Sequence, residues 1–144
     1  MARVLLTALV AGAVIAATPA VPADGTYKGT TTTDHQPVRI VVVDGRVQTA
    51  FATVRRYRCE RFGDVGPVGV AAMPNAAITA RRFSFDGGRT PSYLKMHGTF
   101  SARTSGPKRG TVTGSLRAYG TIATGQACTS PTRAFTLRRV APKR

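Results

Sequence analysis

Val38-Arg39-Ile40-Val41-Val42-Val43 runs into Asp44-Gly45 and out again as Arg46-Val47-Gln48-Thr49-Ala50-Phe51. Two β-branched segments joined by Asp-Gly predict a β-hairpin. A two-residue type I′ turn needs positive φ at both central positions, which Asp and Gly tolerate. With Val43 opposite Arg46, the pairs Val42/Val47, Ile40/Thr49 and Val38/Phe51 share one face, and Val41/Gln48 and Arg39/Ala50 share the other. An apolar face backed by a mixed one is the pattern of an antiparallel sheet that covers a core on one side.

The same punctuation continues in both directions. A threonine-rich strand over residues 25–32 precedes the hairpin, and the second hairpin strand extends through Val54 towards Tyr57. Residues 60–77, with Gly63, Gly66, Pro67, Gly69 and Pro74, read as a long connection with room for one short strand. Residues 81–85 place Phe83 and Phe85 on one face before Asp86-Gly87-Gly88 turns the chain. Residues 93–101 group Leu94, Met96 and Phe100, residues 110–118 group Val112, Leu116 and Ala118, and residues 133–140 align Phe135 with Leu137. No segment shows a helical period. About seven strands predict an all-β domain, an antiparallel β-sandwich of two sheets, with a small closed β-barrel as the alternative. No tryptophan is present to pack on a cystine, so the immunoglobulin pattern is missing.

The first residues read differently. Met1-Ala2-Arg3 is a short positive start, Val4 to Ala17 is almost wholly apolar, and Thr18-Pro19-Ala20-Val21-Pro22-Ala23 is small and proline-punctuated. That order predicts a secretory signal peptide over residues 1–23, leaving residues 24–144 as a single domain. Cleavage after Ala23 is favoured over cleavage after Ala20 because it leaves Asp24 as the terminus and removes both prolines. The apolar run is shorter than the roughly 20 residues that span a bilayer. The expected location is extracellular or periplasmic, and there Cys59 and Cys128 are expected to form one disulfide. Metal binding by these thiols with His35 and His97 lacks the close ligand spacing that pre-organises a site.

Gly25-Thr26-Tyr27-Lys28-Gly29, the lone Cys59, His97-Gly98-Thr99-Phe100-Ser101, Gly110-Thr111-Val112-Thr113-Gly114, and Cys128 with Phe135-Thr136-Leu137-Arg138 resemble a type of small exported bacterial β-domain. Those chains share a G-x-Y/F-x-G opening, two distant cysteines and a basic last strand. The resemblance implies a sandwich-like fold and no activity.

Catalysis finds little to work with. Only His35 and His97 could serve as bases for a nucleophile, and Asp34 beside His35 projects to the opposite face of a strand. The six carboxylates are scattered, two of them in turns, so no pair is marked for glycoside hydrolysis. No phosphate-cradling loop, metal motif or cofactor motif is present, and the expectation is a protein that is not an enzyme.

The charge is lopsided. The chain has 21 Lys and Arg against 6 Asp and Glu; only Arg3 lies in the leader, so twenty cations face six carboxylates and the exported domain carries +14. Such a field gathers anions. The densest stretch holds Arg55, Arg56, Arg58 and Arg61 around Cys59, and a disulfide to Cys128 would bring it near Arg133, Arg138 and Arg139 as one anion-binding patch. Arg103, Lys108 and Arg109 form a second cluster. The expected function is a monomeric, non-catalytic binding module for an anionic polymer, glycan or membrane headgroup. A protein-binding module or inhibitor presenting residues 60–77 is the alternative. Export argues against nucleic acid as a physiological partner.

Overall fold

The computed structural model describes residues 11–12, 21–103, 106 and 109–141. Most of the expected leader, Lys108 and residues 142–144 lie outside the described residues. The described chain is all-β, with twelve strands: β1 Gly25–Thr31, β2 Pro37–Val43, β3 Arg46–Val54, β4 Arg58–Cys59, β5 Gly63–Asp64, β6 Val68–Ala72, β7 Ala76–Ala77, β8 Arg82–Arg89, β9 Ser92–Phe100, β10 Thr111–Thr121, β11 Ala127–Thr129 and β12 Arg133–Arg139. The seven long ones are the seven legible in the sequence. The other five have two to five residues, too short to display an alternation, and three of them lie within the expected 60–77 connection.

All ladders are antiparallel and join in one continuous sheet, whose main path runs in the order β8-β9-β10-β12-β1-β2-β3-β6. The two-sheet expectation is corrected here. Pairing of β1 with β12, from Tyr27↔Arg139 to Thr31↔Phe135, splices the two halves of the chain into a single ladder. The sheet curls until β6 lies close to β8 and β9, but no ladder joins them, so it stays open and is not the closed barrel considered as the alternative. Beyond the start of β12 at Arg133, β10 continues and pairs with β11, which carries β4 and β5 as a side flap. Cys59 and Cys128 are directly opposite in that flap and are disulfide-bonded.

The Asp44-Gly45 hairpin forms as read, with φ of 49° and 69° at its two turn residues. Val43↔Arg46 and Val42↔Val47 are the expected pairs, and then the register slips: Val41 opposes Thr49, Ile40 opposes Ala50, and Val38 opposes Ala52. Gln48 is the extra residue of a β-bulge. The physical reason is visible in β3 itself. Val47 and Val54 are both buried, yet seven residues apart, and in a two-residue period they cannot share a face without one insertion. The bulge puts Ala50, Ala52 and Val54 in the core and turns Phe51 outward, correcting its expected burial.

A second correction concerns Asp86-Gly87-Gly88. This stretch does not turn the chain but continues β8 against Lys95, Leu94 and Tyr93, and the reversal comes at Thr90-Pro91. Glycine serves here as absence of bulk. A Cβ on Gly98 would lie 2.6 Å from the Phe83 ring, and one on Gly114 only 2.0 Å from the His97 carbonyl oxygen. The space left on the inner face is filled by Phe83, Phe100 and Tyr27, whose rings meet at centroid distances of 5.8 and 5.3 Å. Ile40, Leu94, Leu116, Phe135 and Leu137 complete this core.

Candidate anion-binding surface

Alternation along each strand sends one set of side chains to the outer face, and pairing then decides which of them are neighbours. Thr99, Thr113, Thr136 and Thr30 fall in one row across β9, β10, β12 and β1. The adjacent row holds Arg138, Lys28 and Arg39 on β12, β1 and β2, followed by Phe51 on β3. With strands about 4.8 Å apart, the three cationic positions span about 10 Å. All three side chains are exposed. Lys28 and Arg39 have no carboxylate partner among the described residues. Phe51 is half-buried with its ring over Gly69, where a Cβ would approach it to 3.1 Å. Lys28, Pro37, Arg39 and Phe51 line a shallow recess of about 360 Å³.

A like-charge pair directly opposite on neighbouring strands is destabilising by up to about 1 kcal/mol. Another such pair, Lys95 and Arg117, sits on the same face, but there Asp86 stands opposite Lys95. Lys28→Thr is therefore expected to raise stability by about 0.5 kcal/mol at low salt and by less as salt screens the pair. Thermal unfolding at two ionic strengths checks this.

The structure divides the arginines expected to form one patch. Arg55, Arg56 and Arg133 border a groove of about 720 Å³, together with Asp34 and Asp64. Arg133 and Asp34 form a salt bridge at 3.5 Å. Asp34 also accepts the buried Thr31 hydroxyl, and Asp64 accepts the Gly66 N–H, so both carboxylates have local structural work. Arg58 lies on the flap opposite Asp64, and Arg61 is in the turn beyond it. Arg138 and Arg139 are at the far end of β12, about 20 Å from Arg133 at roughly 3.4 Å per residue. The disulfide draws the flap to β11 and so reaches only the Arg133 end of β12. Of the expected patch, the outer row contains Arg138 alone. Lys28 and Arg39 carry no mark in the sequence beyond their alternation, because their neighbourhood depends on the register of three strands.

Arg139 has the inward parity of Tyr27, its partner across β1. Its Nε and one terminal nitrogen donate to the Asp24 carbonyl oxygen at 2.9 and 2.6 Å. Arg103 and Arg109, members of the second sequence cluster, border the same end of the interior. Burial pushes the Tyr27 phenol above its ordinary pKa, partly offset by Arg139.

The histidines stand apart from this surface. His35 occupies the turn between β1 and β2 at φ 51°. His97 is exposed, with Nε2 2.6 Å from the Ser115 hydroxyl, and no carboxylate orients its ring among the described residues. Nearby, Tyr93 and Tyr119 stack at 5.4 Å with Arg117 over the Tyr119 ring. The Tyr119 hydroxyl donates to Asp86, which raises its pKa. No three His, Cys, Asp or Glu side chains cluster among the described residues, nor is any helix there long and apolar enough to cross a membrane. Set against known protein families, characterised proteins and solved structures, the chain matches none.

Proposed function

We propose that this protein is exported, loses residues 1–23, and acts as a non-catalytic module that holds a linear anionic polymer of the cell surface against its outer sheet face. The observation that carries the reading is the in-register placement of Lys28 and Arg39, continued by Arg138. Like charges set side by side cost the fold stability, and a polyanion lying across the strands offsets that cost. The threonine row supplies hydroxyl donors and acceptors alongside, and Phe51 gives the cationic row an apolar end suited to the face of a sugar ring. The apolar leader and the disulfide support export.

The test is binding to immobilised dextran sulfate and to wall teichoic acid at low and high salt. Each cation near an anionic surface contributes about 1 kcal/mol, so Lys28→Thr with Arg39→Thr is expected to weaken low-salt binding about thirtyfold. Arg55→Gln with Arg56→Gln is expected to have far less effect. Wild-type affinity in the first double variant, or binding indifferent to salt, would sink the reading.

Exposed Phe62, Val65 and Met73 favour a second reading, in which residues 60–77 contact a protein. A salt-resistant, stoichiometric partner lost on Phe62→Ser would support it over the first.

A further inference from the structure

Arg81, Arg103, Arg109 and Arg139 border one recess of about 240 Å³ at the end of the curled sheet, with Tyr27 at its inner side. The arginines come from three separate segments: the turn before β8, the β9–β10 connection and the end of β12. None of the described residues lining this recess is acidic, and the carboxylate of neighbouring Asp24 is engaged by the Asp44 N–H. Two of the guanidinium groups are positioned by backbone carbonyls and not by carboxylates. Arg139 forks onto Asp24, and Arg81 donates to the Phe100 carbonyl at 3.1 Å. Neutral acceptors orient these groups without cancelling their charge.

The backbone at Arg81 points the same way. Ala80 and Arg81 form a two-residue turn with φ of 49° and 65°, closed by reciprocal Thr79 and Arg82 hydrogen bonds at 2.9 and 3.0 Å. Left-handed conformations are disfavoured at residues that bear a side chain, and they cluster at functional sites. Here the strain places an arginine at the recess.

One wall is made by Val21, Pro22 and Ala23. The Tyr27 hydroxyl donates to the Ala23 carbonyl at 2.7 Å, and Val21 reaches towards Gly45. Asp24, the next residue, is independently tied down, because its carboxylate accepts the Asp44 N–H at 2.9 Å and Gly25 pairs with Val42. Cleavage after Ala23 therefore removes that wall and leaves the rest of the lining in place. It frees the Tyr27 hydroxyl as a donor and puts a new α-ammonium group at the recess.

We infer that this recess is a binding site for one tetrahedral oxyanion, a phosphate or sulfate group at the end or branch of a larger molecule, closed by residues 21–23 and opened when the leader is cut after Ala23. Its volume is that of several water molecules at about 30 Å³ each, room for such a group. Arginine forks suit its oxygens. The site lies on the inner side of β12, opposite Arg138. It depends on the export reading only for how the cap is removed.

Among the described residues every strand, the disulfide and the buried core lie within residues 25–139, so a chain beginning at Asp24 retains all of them. The experiment compares oxidised chains beginning at Asp24 and at Val21 by calorimetric titration with inorganic phosphate, inorganic sulfate, a sugar phosphate and a sugar sulfate. The Asp24 chain is expected to bind at least one of these ten times more tightly than the Val21 chain, and the preferred arm identifies the source. Arg109→Gln, at an exposed position, is expected to weaken binding about tenfold. Lys28→Thr with Arg39→Thr is expected to leave it unchanged, which separates this site from the polymer face. Equal binding by the two chains, no binding by the Asp24 chain, or wild-type binding by Arg109→Gln would overturn the inference.

Discussion

Replacing Cys59 and Cys128 together by serine is expected to lower the unfolding free energy by about 4 kcal/mol, a large part of what a domain this size holds in reserve. The bridge spans a sequence separation of 69, so in the chain-entropy account its main effect is to restrict the unfolded ensemble. Its local role is equally concrete. β4 and β5 have two residues each and β11 has three, so few backbone bonds hold the flap to the sheet. Tyr57, which immediately precedes β4, is buried, and its carbonyl accepts the Val65 N–H from the far side of the flap. Urea unfolding of the oxidised protein and the double variant measures the loss. Hydrogen exchange should show residues 57–66 losing protection first. An unchanged urea midpoint would mean that the sheet holds the flap unaided.

Gly114→Val is expected to be comparably damaging, at about 3 kcal/mol or more. A side chain at this inward position would begin 2.0 Å from the His97 carbonyl oxygen and 2.7 Å from the Gly98 Cα. Both obstacles are backbone, so no rotamer change relieves them; β9 and β10 would have to part along the longest ladder in the sheet. The informative control is Gly63→Ala. Gly63 has nothing within 4 Å of a built Cβ, but its φ is +68°, so the expected cost is only the roughly 1 kcal/mol of a left-handed alanine. Thermal melts of the two variants separate glycine needed for space from glycine needed for conformation. Equal losses would refute that distinction.

Much of the fold was readable because it is local. The Asp44-Gly45 turn, the inward Phe83/Phe85 pair, and the Leu94, Met96 and Phe100 set follow from residues two apart or from a two-residue turn, and all stand where alternation puts them. The errors share a different origin. Phe51 faces outward because one bulge residue reverses parity, and Asp86-Gly87-Gly88 stays in a strand because β9 is there to pair with it. The candidate site fared worse than the fold. An arginine-dense stretch near a cysteine looked like a patch, but Arg133 and Arg139 stand at opposite ends of one strand. Lys28 and Arg39, eleven positions apart, came together instead.

From the chain alone came the all-β class, the seven long strands, the cystine partners and the excess of positive charge, since each is a matter of composition, short-range alternation or a count of two cysteines. Tertiary structure alone decided that β1 and β12 splice the halves into one open sheet, which cations share a row, and that four arginines from distant segments surround one recess. The splice, and with it the approach of Arg138 to Lys28, arises from pairing between residues more than a hundred positions apart, as in Tyr27 with Arg139. One slip of register sends every side chain to the other face, and only the packed core selects among those registers.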